Sequence, residues 1–209
     1  MSFFPFLIAS YTSIVSVANP FGAMPVFLAL TQSDTKKQRN SQVLKASLYM
    51  VVILTVFFVA GNYIMRFFGI SLNGIRIAGG LLIMQVSFYM LHPKKERGGN
   101  KLSDEDVDEA IDKEDISFSP LAMPMLSGPG SIAVVLGLSS SANDFMDYLV
   151  IFIAILLTAG TAYVVLRVSP WAVKYLGKSG MTALTRMMGF IGLCIGVQFI
   201  INGISALIR

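Results

Sequence analysis

Long hydrophobic segments alternate with polar connections along the whole chain. A helix that spans a bilayer needs about 20 consecutive, mostly apolar residues. Six segments meet this length, and they are predicted to be membrane-spanning helices at residues 4–32, 43–66, 71–91, 118–139, 146–167 and 184–207. The longest polar connection, 92–117, contains Ser103 followed by acidic residues, which predicts a short surface helix near 104–113.

The first and fourth hydrophobic segments are interrupted by proline and glycine. Residues 18–25 are ANPFGAMP, and residues 124–130 are PMLSGPG. Proline removes a backbone donor and clashes with the preceding turn, so half-helices are predicted at 4–18 and from Val26 onward, with a similar break in the fourth segment. In hydrocarbon such a break is tolerated only where it is buried in protein or lines a cavity. Interrupted spans at corresponding places in two halves are typical of a transporter's binding site.

Composition places the protein in a membrane. The chain of 209 residues is 55% hydrophobic and 13% charged, with a mean hydropathy of +0.70. Soluble domains contain roughly 25% charged residues. Six spans and their connections account for the length, so a large soluble domain is excluded. The net charge of +4 does not indicate nucleic-acid binding, because most of the basic residues lie in or beside the connections between membrane-spanning segments.

Basic residues mark alternate connections. Every Lys and Arg except Arg66, Arg76 and Arg209 lies in or beside the first, third or fifth connection. The positive-inside rule assigns these connections to the cytoplasm. Both termini are therefore predicted to lie outside, and the alternation supports a count of six spans.

The two halves of the chain share a weak internal repeat. Asn19-Pro20 falls on Gly128-Pro129 at an offset of 109 residues, and Arg76 falls on Arg186 at an offset of 110. Each half has three spans, so the second copy must have the opposite orientation. The predicted fold is an all-α integral membrane protein whose six transmembrane helices form two inverted three-helix repeats, with helices 1 and 4 discontinuous. The predicted divisions are a first repeat at 1–91, an acidic cytoplasmic loop at 92–117 and a second repeat at 118–209.

Backbone groups at the two breaks are the candidate ligands for a substrate. Half-helices present N–H groups and a positive dipole end, and prolines leave carbonyl oxygens without donors. Together these groups suit a zwitterion such as a small amino acid; the alternative is a pair of kinks that serve only helix packing. The candidate substrate-binding residues are Asn19, Pro20, Gly22, Pro25, Pro124, Ser127, Gly128, Pro129, Gly130 and Ser131.

Ionisable groups are scarce in the predicted spans. All Asp and Glu residues except Asp147, the second residue of the predicted fifth span, lie outside them, and the one histidine, His92, is at a span end. This argues against an intramembrane enzyme, a metal centre and a buried carboxylate proton relay. No cofactor is expected, and a coupling proton or sodium ion would have to use carbonyls, hydroxyls or the substrate.

Arg76 and Arg186 are candidate gating or anion-binding residues. The glycines near 79–80 and 189–196 are predicted to pack helices closely.

The two interrupted segments, NPFGAMPVF at 19–27 and PLAMPMLSGPGSI at 120–132, resemble the paired motifs of the MarC family, also called the neutral amino acid transporter family. The likeness covers nearly the whole chain. It implies a multi-pass protein of the cell inner membrane that transports small neutral amino acids such as glycine, alanine or serine. The expected partners are this substrate and the lipid bilayer, with no nucleic acid; an oligomer is compatible with the sequence.

Other functions remain open at this point. A channel or an exporter for another small polar solute would use the same breaks, although a cation channel would favour acidic rings that the spans lack. A purely structural membrane protein is a further alternative. The sequence alone does not distinguish import from export.

Overall fold

The computed structural model describes residues 3–92 and 115–208. Regular structure within these ranges is helical, without a strand, which confirms the all-α prediction for this part of the chain. The helix predicted near 104–113 lies outside the described residues.

The helices follow the hydrophobic segments closely. In chain order they are α1 (Phe3–Ala18), α2 (Pro20–Leu30), α3 (Lys36–Phe68), α4 (Leu72–Leu91), a wide π-type helix α5 (Ser117–Leu126), α6 (Pro129–Ser141) and α7 (Phe145–Ile208). Helix α7 is broken at Gly177, where φ is 63°, into a first arm, Phe145–Gly177, and a second arm, Ser179–Ala206.

Membrane-spanning length is reached by five of these units. They are Phe3–Leu30, Lys36–Gly61, Leu72–Leu91 and the two arms of α7, and α5 with α6 makes a sixth when that pair, bent by 58°, is counted as one span. The predicted count of six agrees with the structure on that condition.

Local capping explains where α3 and α4 begin and end. Thr35 forms a reciprocal capping box with Gln38, so α3 begins at Lys36 and extends into the polar connection beyond the predicted boundary of residue 43. Gly69 ends α3 in the left-handed conformation, at φ 64°. Ser71 then accepts the Gly74 N–H at 3.1 Å and starts α4. The α3–α4 connection is consequently very short.

Helix α4 packs closely against the second arm of α7. A Cβ atom added to Gly80 would lie 2.6 Å from the carbonyl oxygen of Gly196, and one added to Gly196 would lie 2.8 Å from that of Gly80. Near the other end of α4, a Cβ on Gly189 would lie 3.0 Å from the Ser87 carbonyl oxygen. The two helices therefore cross backbone to backbone in antiparallel directions, which confirms the predicted packing role of these glycines.

Polar contacts fix the connections at the two ends of the bundle. At the end we call the Lys45 end, Arg39 Nη2 donates to the Thr31 carbonyl oxygen at 2.7 Å, and Lys45 pairs with Asp115 at 2.5 Å. At the opposite end, which contains Gly69 and the α6–α7 connection and which we call the Gly69 end, Ser139 donates to the Phe58 carbonyl oxygen at 3.0 Å. The bent α5–α6 pair is thus tied to α3 at both ends.

The Lys45–Asp115 pair has a pH dependence of known sign. Burial alone would raise the pKa of Asp115, but hydrogen bonds from Lys45 and Ser117 lower it below its ordinary value of 3.8. A carboxylate with a lowered pKa stabilises the folded state above its ordinary pKa, and this contribution is lost as the pH falls through the folded value. Lys45→Met should therefore lower the thermal midpoint in detergent slightly at pH 7. The difference in thermal midpoint between this variant and wild type should shrink below pH 3.8. An unchanged difference in acid would contradict the stabilising role of the ion pair.

Candidate functional site

The interruption in the first span is limited to Asn19. This residue adopts the left-handed conformation (φ 43°, ψ 60°), and its side-chain Oδ1 accepts the Gly22 N–H at 3.0 Å. The second half-helix begins at Pro20, so the prediction that it begins at Val26 was wrong. Proline suits the first helical position, because its missing N–H would have had no partner there. Pro25 is accommodated inside α2.

Gly22 is required by the way Asn19 caps α2. A Cβ at Gly22 would lie 2.5 Å from Met90 Cε and 2.6 Å from Asn19 Nδ2. The glycine therefore lets the Asn19 side chain fold over the start of α2 beneath the end of α4. The break in the first span is a tightly packed, self-capped junction.

Two substitutions of Asn19 should separate the stability contributed by its side-chain cap from the stability contributed by its left-handed backbone conformation. Asn19→Gly keeps the left-handed conformation available and should cost a few tenths of a kcal/mol. Asn19→Ala loses the cap and strains the backbone, for a total of about 2 kcal/mol. Denaturation midpoints in detergent would measure both variants. Equal midpoints for the alanine variant and wild type would contradict the capping role.

The interruption in the fourth span is wider than that in the first. Ser119 and Met123 have extended backbones, with φ of −125° and −128°, and each precedes a proline, whose ring disfavours the helical conformation of the residue before it. The chain closes this region with a bond from the Ser127 N–H to the Ala122 carbonyl oxygen at 2.8 Å. Helix α6 then starts after Gly128 in a new direction.

Glycines bring this second break against neighbouring helices. A Cβ at Gly128 would press into the Pro124 carbonyl oxygen. A Cβ at Gly130 would lie 2.6 Å from Ile83 Cγ1 of α4 and 2.9 Å from Val17 Cγ1 of α1. Val17 lies two residues before Asn19 in the chain. The contact of Val17 with Gly130 therefore places the two interruptions next to each other inside the bundle.

Capping differs between the two breaks. Asn19 caps α2, whereas α6 has no side-chain cap at Gly128. Ser131 Oγ donates to the Leu126 carbonyl oxygen at 3.0 Å, but the fully buried Ser127 Oγ has no hydrogen-bond partner among the described residues. Buried polar atoms are nearly always hydrogen-bonded. The start of α6 thus combines a helix N-terminus that lacks a side-chain cap with a hydroxyl that has no partner in the described part of the chain.

Most of the predicted binding residues lie inside the bundle. Pro20, Gly22, Ser127, Gly128, Gly130 and Ser131 are buried, Asn19 and Pro25 are partly buried, and Pro124 and Pro129 are exposed. The exposed prolines shape the break without facing its interior. Sequence reasoning missed Val17, Ile83 and Met90, which close the region. They are ordinary apolar residues within helices, and nothing in the sequence distinguishes them.

The two candidate gating arginines have different surroundings. Arg76 is partly buried and lines a cavity of about 190 Å³ with Ser13, Ala133, Ser141 and Asn202. Arg186 is exposed and does not line this cavity. A group of three or more His, Cys, Asp or Glu side chains suited to a metal does not occur in residues 3–92 and 115–208.

Comparison with known proteins identifies the family. The model of the MarC family integral membrane proteins matches residues 4–208. A UPF0056 membrane protein of Methanocaldococcus jannaschii is 39% identical over 95% of this chain and 96% of its own. One from Aquifex aeolicus is 33% identical over 97% and 94%, and the UPF0056 inner membrane protein MarC of Citrobacter koseri is 35% identical over 94% and 92%. No solved structure matches. The coverage is nearly complete, and the chain therefore belongs to the MarC family of integral membrane proteins.

Proposed function

We propose that the protein is a secondary transporter of small neutral amino acids, of the glycine, alanine and serine type, that works by alternating access. The substrate would lie near the bilayer midplane between the two interrupted spans. The observation that carries this proposal is the direct packing of Val17, beside the first break, on Gly130 in the second. Resemblance to the neutral amino acid transporters supplies the substrate class.

The unequal capping suggests how a zwitterion would be oriented. An uncapped helix N-terminus favours binding of an anionic group, because the helix presents its free N–H groups and the positive end of its dipole to the anion. The substrate carboxylate would therefore bind at the start of α6, where Ser127 Oγ supplies a further donor. Carbonyl oxygens without donors, such as that of Ser16 four residues before Pro20, would accept from the ammonium group.

Inverted repeats would provide the conformational change. In this proposal α1–α4 and α5–α7 are two copies of opposite orientation, with a discontinuous helix at the start of each and both termini outside the inner membrane. The close α4–α7 contact at Gly80 and Gly196 joins the last spans of the two copies. A coupling proton or sodium ion would be bound by carbonyl and hydroxyl oxygens, because the described carboxylates lie in the connections or, for Asp147, in the first turn of α7.

Uptake in proteoliposomes tests the proposed function. Purified protein should give saturable uptake of labelled glycine or alanine, and its dependence on an imposed proton or sodium gradient would identify the coupling ion. Empty liposomes and a large amino acid such as tryptophan are the controls. Absence of saturable uptake or counterflow for every small neutral amino acid would overturn the proposal, and linear non-saturable flux would favour a channel.

Ser127→Ala tests the carboxylate contact. The Ser127 hydroxyl has no partner in the described chain, so its removal should not destabilise the protein. Loss of one hydrogen bond to a charged group is worth about 1.5–3 kcal/mol, so KM for glycine should rise roughly tenfold or more. The matched variant Ser131→Ala loses the bond to Leu126 and should instead lower the thermal midpoint. An unchanged KM for Ser127→Ala would contradict the assigned contact.

A further inference from the structure

The cavity around Arg76 lies between four helical segments. Ser13 of α1, Arg76 of α4 and Asn202 of the second arm of α7 surround it. On α6 it is lined by Ala133, Gly137 and Ser141, which recur every four residues and so share one face. The cavity therefore extends along α6 from near the second break to the Gly69 end of the bundle.

The positive charge of Arg76 is not neutralised by the described residues. The one ion pair recorded within 3–92 and 115–208, Lys45–Asp115, lies at the opposite end. The acids at the Gly69 end are engaged in backbone contacts: Asp144 accepts the Asp147 N–H at 2.8 Å, and Asp147 accepts the Asn143 N–H at 3.0 Å. An ionisable side chain among membrane-spanning helices is a candidate functional group, and the complementary ligand of a cation is an anion.

The polar groups beside Arg76 complement a carboxylate. Asn202 Oδ1 accepts from Gln198 at 2.8 Å, which leaves its Nδ2 donor without an acceptor in the described part of the chain. The Arg76 guanidinium adds a planar set of donors that matches the two oxygens of a carboxylate. Ser13 donates to its own helix, at the Ala9 carbonyl oxygen 2.7 Å away, so its oxygen is oriented by α1. The volume of about 190 Å³ admits a small solute with a few waters.

A thin wall separates this cavity from the second break. A Cβ at Gly79 would lie 2.8 Å from Ala133 Cβ, which lines the cavity, and 3.9 Å from Gly130 Cα in the break. Gly79 and Ala133 are thus the contact between the two regions. We propose that the Arg76 cavity is a second binding site, specific for small carboxylates, that receives a substrate's carboxylate at the Gly69 end before it reaches the breaks. Its place on a transport path rests on the proposed function; carboxylate binding at Arg76 does not.

Charge-selective labelling tests the site without any transport assay. Cys194, the single cysteine, is replaced by serine, and Ser141→Cys then places one thiol at the cavity end nearest the α6–α7 connection. Rates of modification are measured with an anionic and a cationic methanethiosulfonate reagent of similar size. Adding Arg76→Gln should lower the anionic-to-cationic rate ratio roughly fivefold, because one nearby charge is removed. Arg186→Gln removes the same charge outside the cavity and should leave the ratio unchanged. An unchanged ratio in Arg76→Gln would overturn the proposal.

Competition separates a carboxylate from a simple anion. Sodium acetate should slow labelling by the anionic reagent several-fold more than sodium chloride at equal ionic strength, and this difference should vanish in Arg76→Gln. Equal protection by chloride and acetate would overturn the specificity for carboxylates.

Measurements of glycine uptake then test whether the Arg76 cavity lies on the transport path. Arg76→Gln should raise KM for glycine about tenfold, and Arg76→Lys less. If wild-type protein takes up no amino acid while the labelling results hold, the transport proposal fails and the binding site stands. If glycine uptake is normal in Arg76→Gln and the labelling ratio is unchanged, the site fails and the transport proposal stands.

Discussion

Gly128→Ala should strongly reduce glycine uptake while the protein still inserts into the membrane. The new Cβ would press into the Pro124 carbonyl oxygen, a backbone atom of the same break that has no side-chain freedom with which to yield. Such overpacking costs about 1–3 kcal/mol, and here the backbone that must shift is the proposed carboxylate site at the start of α6. We expect uptake to fall more than tenfold. Labelled uptake would be measured at equal amounts of reconstituted protein.

Gly160→Ala is the matched control for this variant. Gly160 lies within the first arm of α7, and a Cβ added there meets no atom within 4 Å. Alanine in place of an exposed helical glycine should be neutral or stabilising by up to about 1 kcal/mol. Wild-type uptake in Gly128→Ala would show that the second break is only a kink, and the transport site would have to lie elsewhere.

Gly80→Leu should prevent α4 from packing on the second arm of α7. The first added carbon alone would lie 2.6 Å from the Gly196 carbonyl oxygen and 2.8 Å from Ile200 Cγ1. Because backbone faces backbone at this crossing, the helices must separate, which should destabilise the folded protein by about 3 kcal/mol or more. A fall in the thermal midpoint and the appearance of aggregated protein in size-exclusion chromatography would be measured.

Ala78→Leu provides the comparison on the same helix. Ala78 is exposed, so a larger side chain there extends away from the bundle. The variant should elute and melt as wild type does. If Gly80→Leu behaved equally well, the close crossing of α4 and α7 would not be needed for folding.

Some of the structural features behind these predictions can be predicted from the sequence, and others cannot. Long apolar segments and the distribution of Lys and Arg anticipate the helical spans, since both follow from local composition. Glycines 79–80 and 189–196 were predicted to pack helices, and their contacts agree. The first break was predicted too wide, because the motif's two prolines suggested a gap up to Val26. A single left-handed residue with a capping side chain was sufficient to restart the helix at Pro20.

Arg76 and Arg186 illustrate the limit of sequence reasoning about the site. The two arginines occupy corresponding positions of the internal repeat, 110 residues apart, so the sequence does not distinguish them. Only Arg76 lines the described cavity beside α6. Ser127 and Ser131 are likewise similar in sequence, four residues apart around one glycine-rich break. The structure gives one of them a carbonyl acceptor and leaves the other buried without one.

By itself, the sequence determined that this protein is a helical membrane protein and where its long apolar helices lie, and it predicted interruptions in two of them. These properties depend on local composition, on the missing N–H of proline and on the flexibility of glycine. Only the tertiary structure decided that Val17 meets Gly130, that Arg76 faces a cavity and has no carboxylate partner among the described residues, and that α6 begins without a side-chain cap. These features depend on contacts between helices that are distant in the chain. The apolar residues that form such contacts look the same in the sequence whether they face a neighbouring helix or lipid.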